Sequence, residues 1–576
     1  MTWLKLLKSC HKPGRHRAAR PYCRLVLEEL EPRLAPSVSM LTYHNDNYSA
    51  GANLSETALT LANVNSSTFG KLFTTGLDGQ VFAQPLYVAN QAITVGGITT
   101  THNVVYVATE NDSLYAIDAD SGTVLWHDSF TNPANGVTPV PAADVGNTLE
   151  IAPVMGITGT PVIDTSTNSI YFDTYTKEVV GGKNHYVYRL HAVSLSDGSE
   201  QFGGPLTIAD TIVNAPHNFT YVSGPSVNTN GGGHVQFNAL RQLQRPGLTQ
   251  TPDGTIYLAF ASHGDVEPYH GWVLGFNHQG PGQTLQLTAA FNTTPNGKAG
   301  GIWQGGGRIA VDSSGFLYFE TGNGTFDTKL NAQGFPVNGD YGDSFVKLAV
   351  DPSTSPTNQN INGWGLKVVD YFTPHNQAAL NTGDIDLGSG APMLLPDGLG
   401  GTAHPNLLIG GGKEGTLYLI DRNNMGHFNA TKDNIVQELP HVLSGVWDTP
   451  AFFNNTIYYV GTSRHASLAK TFSISNGKLS TQPTSLSLDK FAFPGSTPSI
   501  SANGASNGIA WDIALGTNQL RAYDATSYAK ELYTSDQAAG GRDALGTAVK
   551  FSVPTVVNGK VFVGTATGLD IYGLLP

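Results

Sequence analysis

The sequence predicts an all-β chain folded as an eight-bladed β-propeller and closed by pairing its N- and C-terminal strands. Three observations predict it. One strand–turn–strand unit recurs along the chain, a short proline-marked strand precedes each copy, and the two ends each carry part of one incomplete copy.

The recurring unit is clearest at His102–Ser129, HNVVYVATENDSLYAIDADSGTVLWHDS. Val104–Ala108 is a β-branched run, Thr109–Asp112 is a polar turn, and Ser113–Asp118 alternates polar and apolar residues with period two. The turn Ala119–Gly122 then leads into Thr123–Trp126. Glycine and aspartate supply the turn geometry, and the alternation gives a half-buried strand. A single copy cannot bury its apolar faces, so it needs neighbours. Leu417–Asp421 (LYLID) and Leu520–Asp524 (LRAYD) repeat Leu114–Asp118 (LYAID), and Lys470–Ile474 ahead of Asn476-Gly477 is a weaker copy. Asp197-Gly198 is followed by Phe202 at the spacing that places Trp126 after Gly122.

The entry strands begin at Gln84-Pro85, Thr160-Pro161, Ala391-Pro392, Thr449-Pro450, Thr497-Pro498 and Val553-Pro554, with two less regular ones near Arg245–Gln250 and Gly305–Val311. The eight entries average about 60 residues apart, so the excess length falls in loops such as Asn132–Ala152, Asn214–Gln244, Lys329–Tyr341 and Asp351–Asn362. Phe69–Thr74 reads as an outer strand without a blade of its own, and Phe551–Leu574 supplies three strands without a fourth. Joining them removes the open sheet edges. No amphipathic helix of useful length is expected, and His44–Asn47 is expected as a polar loop on one propeller face.

Composition narrows the function. The net charge over 576 residues is −13, and the first 33 residues hold eight Lys/Arg against three Asp/Glu. The rest therefore has 23 basic and 41 acidic residues, a net −18. Such a surface repels phosphates, so no nucleic-acid partner is expected. Both cysteines, Cys10 and Cys23, precede the body, which can form neither a disulfide nor a cysteine metal site. No stretch is apolar for long enough to span a membrane. Residues 1–40 read as a basic, disordered, export-related leader and 41–576 as one propeller domain. Leu27–Arg33 (LEELEPR) resembles the "LEPR" leaders of large bacterial surface and secreted proteins. An extracytoplasmic monomer is expected.

The unit Ala116-x-Asp118…Gly122…Trp126 resembles the tryptophan-docking repeat of quinoproteins, the eight-bladed propellers that bind pyrroloquinoline quinone (PQQ). The resemblance runs from about Phe69 to Leu574. Within it, Leu317–Gly324 (LYFETGNG) is similar to the "TGN" turn whose asparagine ligates Ca²⁺, which would be Asn323. Trp303 is similar in placement to the floor beneath the quinone. Thr373-Pro374-His375-Asn376 followed by Asp384-Ile385-Asp386 resembles the "PHD…WDxD" segment that supplies the catalytic aspartate. The resemblance makes Asp384 or Asp386 the base taking an alcohol proton, with Asp384 also near the metal. Gly412–Arg422 resembles "KNGxxYxLDR", whose cation polarises the quinone oxygens; that would be Lys413.

The departures are specific. The body lacks the family's adjacent cysteines, the strand Asn184–His191 carries no acidic Ca²⁺ ligand, Asn376 stands where the family has aspartate, and the tryptophan of "WDxD" is missing. The same residues also have plain structural readings. Asn323 suits a turn between glycines, Trp303 suits inter-blade packing, Asp384 and Asp386 suit a turn, and Lys413 suits a solvated loop. A further cluster, His263, Asp265 and His270 in Ser262–Trp272, is expected either as an axial pocket, with His375, or as a hydrogen-bonded loop. Three functions follow. The leading one is a propeller binding a small ligand or an envelope protein on one face without full quinoprotein catalysis. The second is a divergent alcohol or sugar dehydrogenase using PQQ and Ca²⁺. The third is a cell-envelope scaffold.

Overall fold

A computed structural model describes residues 38–146, 150–210, 221–224, 233–278 and 282–576. Residues 1–37 of the expected leader and parts of the loops Asn132–Ala152 and Asn214–Gln244 lie outside the described residues. Ser37–Pro576 forms one unit, which holds the strands of the described residues.

Strand pairing among the described residues resolves into eight four-stranded antiparallel units, numbered here as blades in chain order. Blade 1 shows the rule, running Leu86–Val95, Ile98–Thr109, Ser113–Asp118 and Val124–Ser129 from the axis outward. The inner strands of blades 2 to 8 begin at Val162, Thr249, Ala310, Met393, Ala451, Ser499 and Thr555, each just after its expected entry. Blades 3 and 4 share one continuous sheet because their outer strands pair at Phe291↔Gly363. Asn132–Ala152 adds the strand Val137–Pro141 to blade 2. The longest helix among the described residues is Gln377–Thr382, and none is long and apolar enough to cross a membrane.

Trp126 docks as the repeat requires: it is half-buried and its Nε1–H donates to Leu195 O of the next blade at 3.1 Å. Blade 8 consists of Thr555–Val557, Lys560–Gly564 and Gly568–Leu574, and its outer strand is Phe69–Gly76. Pairing runs from Phe69↔Leu574 to Gly76↔Gly568. Phe69 is fully buried among Trp511, Tyr533 and Tyr572, and Lys71 Nζ lies 3.0 Å from the buried Asp570 carboxylate. The two ends of the chain therefore complete one sheet.

A second device binds the ring. Residues 40–53 pass every blade in turn. Met40 N–H donates to Tyr87 O, and Leu41 O accepts from Ile163 N–H. Asn47 Nδ2 donates to Gln250 O at 3.0 Å, and Asn47 O accepts from Val311 N–H. The carbonyls of Tyr48, Ala50 and Gly51 accept from Leu394, Phe452 and Ile500, and Asn53 Nδ2 reaches Val556 O at 3.0 Å. This strap contains the expected polar loop His44–Asn47. Arg308, fully buried, pins it: Nη2 donates to Asn47 Oδ1 at 2.7 Å, Nη1 donates to Thr42 Oγ1, and Nε donates to Thr249 Oγ1 at 3.2 Å.

The entry of blade 4 is crowded by neighbouring blades. A Cβ on Gly305 would meet the Phe551 ring at 2.9 Å, one on Gly306 would meet Thr497 Oγ1 at 2.5 Å, and one on Gly307 would meet Ala391 Cβ at 2.1 Å. Blades 5, 7 and 8 thus close on three successive glycines, which is why this entry lacks the proline signature. Gly307→Val is expected to cost about 3 kcal/mol through overpacking, read as a lowered urea midpoint at unchanged m-value.

Candidate functional site

The turns at the axial end of blades 4, 5 and 6 bring together five of the residues singled out by the sequence. Blade 4 ends its second strand at Glu320, and the turn Thr321–Gly324 places Asn323 beside the segment Gly383–Gly390 that enters blade 5. Gly322 permits this approach, since a Cβ there would lie 2.4 Å from Asp386 Oδ1 and 2.7 Å from the Trp303 ring. Asn323 N–H donates to Asp386 Oδ1 at 2.7 Å, and Asn323 Nδ2 donates to Asp384 Oδ1 at 3.0 Å. Asp384 takes a left-handed backbone, φ 54°, which aspartate tolerates better than most residues.

Lys413 arrives from the turn after Leu407–Gly410, with its N–H on Asp386 O at 2.9 Å. Its Nζ stands 2.5 Å from Asp386 Oδ2 and 3.2 Å from Asp384 Oδ1, and 5.5 Å from the centre of the Trp447 ring. Burial alone would lower the Lys413 pKa, but Asp386 and then Asp384 outweigh it and raise it, so the ammonium is fixed. Asp386 is buried and Asp384 is largely exposed, so the pair faces solvent along one edge. Behind it Asp343 accepts from Leu387 N–H at 3.2 Å and Gln377 Nε2 at 3.3 Å, and burial followed by the Asp386 charge raises its pKa well above the usual carboxylate range. Trp303 packs over Gly301 and Gly322, donates from Nε1 to Ser262 O at 3.1 Å, and meets the Tyr269 ring edge-on at 5.7 Å.

Of the candidate pocket residues, Asp265 lies near enough to Asp386, Asp384 and Lys413 to feel their charges, while His263, His270 and His375 are each held by other partners. His263 is buried against Tyr175, and desolvation lowers its pKa to about 3. His270 is buried with Nδ1 2.9 Å from Thr294 Oγ1, and desolvation lowers its pKa to about 4. Asp265 accepts from Tyr269 OH at 2.6 Å, and His375 lies against Asp433 at 3.2 Å. Asp265 and His270 find partners within blade 3 itself, whereas His263 reaches Tyr175 of blade 2.

Sequence reasoning missed Trp447, Asp343 and a buried acid group under blades 1 and 2. Trp447 was legible, standing in the blade 6 entry Trp447-Asp448-Thr449-Pro450. The acids were not. Glu110 accepts from Gly156 N–H at 2.8 Å and Asp112 accepts from Tyr175 N–H at 3.1 Å. With Asp173 they are fully buried, and each has one carboxylate oxygen without a hydrogen-bond partner. Desolvation raises Glu110 to about 7 and Asp173 to about 8, and holds Asp112 well above the usual carboxylate range.

Ca²⁺ takes six to eight oxygens, anionic ones by preference. Asn323 Oδ1 is buried and unpartnered, as such a ligand would be. Three of the four carboxylate oxygens beside it are taken. Asp386 spends one oxygen on Asn323 N–H and the other on Lys413, and Asp384 Oδ1 holds both Asn323 Nδ2 and Lys413. Among the described residues no three His, Cys, Asp or Glu side chains converge as a metal group. These residues do not fit Ca²⁺, and with it the quinone loses the ion that would anchor its oxygens.

No protein-family model and no curated protein matches the sequence. Among solved structures the chain is similar to a quinohemoprotein alcohol dehydrogenase from Pseudomonas putida HK5, with 12% identity and a TM-score of 0.54 over 93% of this chain and 80% of that one. The BamB of Moraxella catarrhalis gives 8% identity and a TM-score of 0.44 over 88% and 97% of the two chains. The first likeness shows the fold: a nearly all-β propeller of the quinoprotein type.

Proposed function

We propose that this chain is an extracytoplasmic propeller that binds a ligand, a small molecule or a protein partner, on its axial face, without quinoprotein catalysis. One observation carries the reading: Lys413 lies between Asp384 and Asp386, so the pair that resembles the family's catalytic and metal-binding acids already shares a cation from the chain itself. What the site offers a ligand is the solvent edge of that ion pair, flanked by the half-buried rings of Trp303 and Trp447. Aromatic faces beside fixed donors and acceptors suit a small polar molecule or a partner's side chain.

A PQQ-dependent dehydrogenase is the second reading, favoured by the unpartnered Asn323 Oδ1 beside Asp384 and Asp386. Equilibrating the purified protein with PQQ and Ca²⁺, then removing free quinone, separates the two. The expected result is no retained quinone absorbance and no dye reduction with a panel of alcohols and sugars. One retained equivalent with alcohol-dependent dye reduction would establish the dehydrogenase instead.

A further inference from the structure

We infer that the Lys413 ammonium is the resident cation of the axial site, built into the chain in place of a divalent ion, and that it keeps the site closed to metal. The inference rests on the reading that the site works without the quinone, and deepens it by assigning what occupies the cation position.

The first observation is the ligand set around Nζ. Asp386 Oδ2 lies at 2.5 Å, Asp384 Oδ1 at 3.2 Å and Asp384 O at 3.2 Å. Two carboxylate oxygens and a backbone carbonyl are the donors a hard cation chooses. An ammonium with three N–H groups satisfies three acceptors without the further oxygens that Ca²⁺ would need.

The second observation is independent of the acids. Asn323 is about nine-tenths buried, and its Oδ1 has no hydrogen-bond partner. The Nδ2 contact with Asp384 fixes the orientation of the amide, because a carboxylate oxygen accepts only. An unpaired buried carbonyl of this kind carries a desolvation penalty that a bound cation would relieve. The oxygens for a metal are therefore partly assembled, and one side chain fills the position. Lys413 is held there from both ends, by its backbone N–H on Asp386 O and by its terminal ammonium, while the Trp447 ring lies on its flank.

The consequence is a gain of function on removing Lys413. Lys413→Met keeps an unbranched side chain, one atom shorter, and deletes the charge, leaving Asp384 and Asp386 without their cation and Asn323 Oδ1 still unpartnered. The probe is Tb³⁺, whose emission is sensitised by nearby tryptophan, with Ca²⁺ as competitor. The wild-type chain is expected to give the same weak emission as its Asp386→Asn variant. Lys413→Met is expected to bind Tb³⁺ at least tenfold more tightly at one equivalent, to lose that signal to Ca²⁺, and to lose it when Asp386→Asn is added. Its melting temperature should rise with Ca²⁺ while that of the wild type does not move.

A wild-type chain that binds one Tb³⁺ or Ca²⁺ in an Asp386-dependent way overturns the inference, and so does a folded Lys413→Met that gains no site. If Lys413→Met fails to fold in metal-free buffer, folding on addition of Ca²⁺ supports the inference. Failure to fold with Ca²⁺ as well moves the decision to Lys413→Gln and to the wild-type titration. Metal binding by the wild type without retained quinone sinks this inference alone; retained quinone with dye reduction sinks the reading beneath it.

Discussion

Arg308→Met is expected to lower the unfolding free energy by about 3–5 kcal/mol and to loosen residues 40–53 from the ring. The guanidinium is fully buried and joins Asn47 and Thr42 of the strap to Thr249 of blade 3. Methionine fills much the same volume, so the loss falls on hydrogen bonding and not on packing. Thr42 Oγ1 loses a charged donor in a buried place, where an unpaired acceptor is most costly, and the half-buried Asn47 Oδ1 loses one as well. Burial lowers the Arg308 pKa to about 10, with the nearby Asp46 opposing, so the group remains charged at neutral pH. Arg308→Lys keeps the charge but not the fork and should recover only part of the loss. Denaturant melts give the magnitude. Hydrogen exchange gives the location, because backbone amides that donate to the strap, such as Val311 and Ile500, should lose protection more than those of the blade centres.

Asp173→Asn is expected to stabilise the protein at pH 8 by an amount on the order of 5 kcal/mol and to leave stability at pH 4 nearly unchanged. The size follows from a carboxyl whose pKa rises from 3.8 when unfolded to about 8 in the folded, fully buried state. A raised carboxyl pKa means that folding favours the protonated acid. The stability this group contributes is complete below its unfolded pKa and is lost as pH climbs toward the folded one. Glu110, raised to about 7 by burial, acts in the same direction, and Asp112 is shifted upward too. The wild-type chain should therefore be more stable near pH 5 than near pH 8, with Asp173→Asn flattening the profile. Melting temperatures measured across that interval check both statements. A wild-type profile that rises toward pH 8 would mean that a counter-charge reaches the acids.

What the sequence made legible depends on the range of the interactions involved. The blades could be read because period-two alternation, Asp-Gly turns and proline-marked entries are local signals. Phe69–Gly76 could be assigned to Gly568–Leu574 because one blade lacked a strand and one strand lacked a blade. The convergence of Trp303, Asn323, Asp384, Asp386 and Lys413 was legible through resemblance. The ion pair that occupies them was not, since nothing local distinguishes a lysine that meets a quinone from one that meets two aspartates. The strap and Arg308 were hidden because their contacts join positions some 260 residues apart. Gly305–Gly307 read as an irregular entry, when the irregularity is the crowding itself.

The site exists only if blades 4, 5 and 6 are held in one closed ring, and that closure is tested most directly by hydrogen exchange at its seam. The amides of Phe69–Gly76 are predicted to exchange with the same free energy and the same denaturant dependence as those of Gly568–Leu574, as one cooperative unit. Exchange of Phe69–Gly76 at a much lower free energy, while Gly568–Leu574 stays protected, would contradict the closed ring and the axial site built on it.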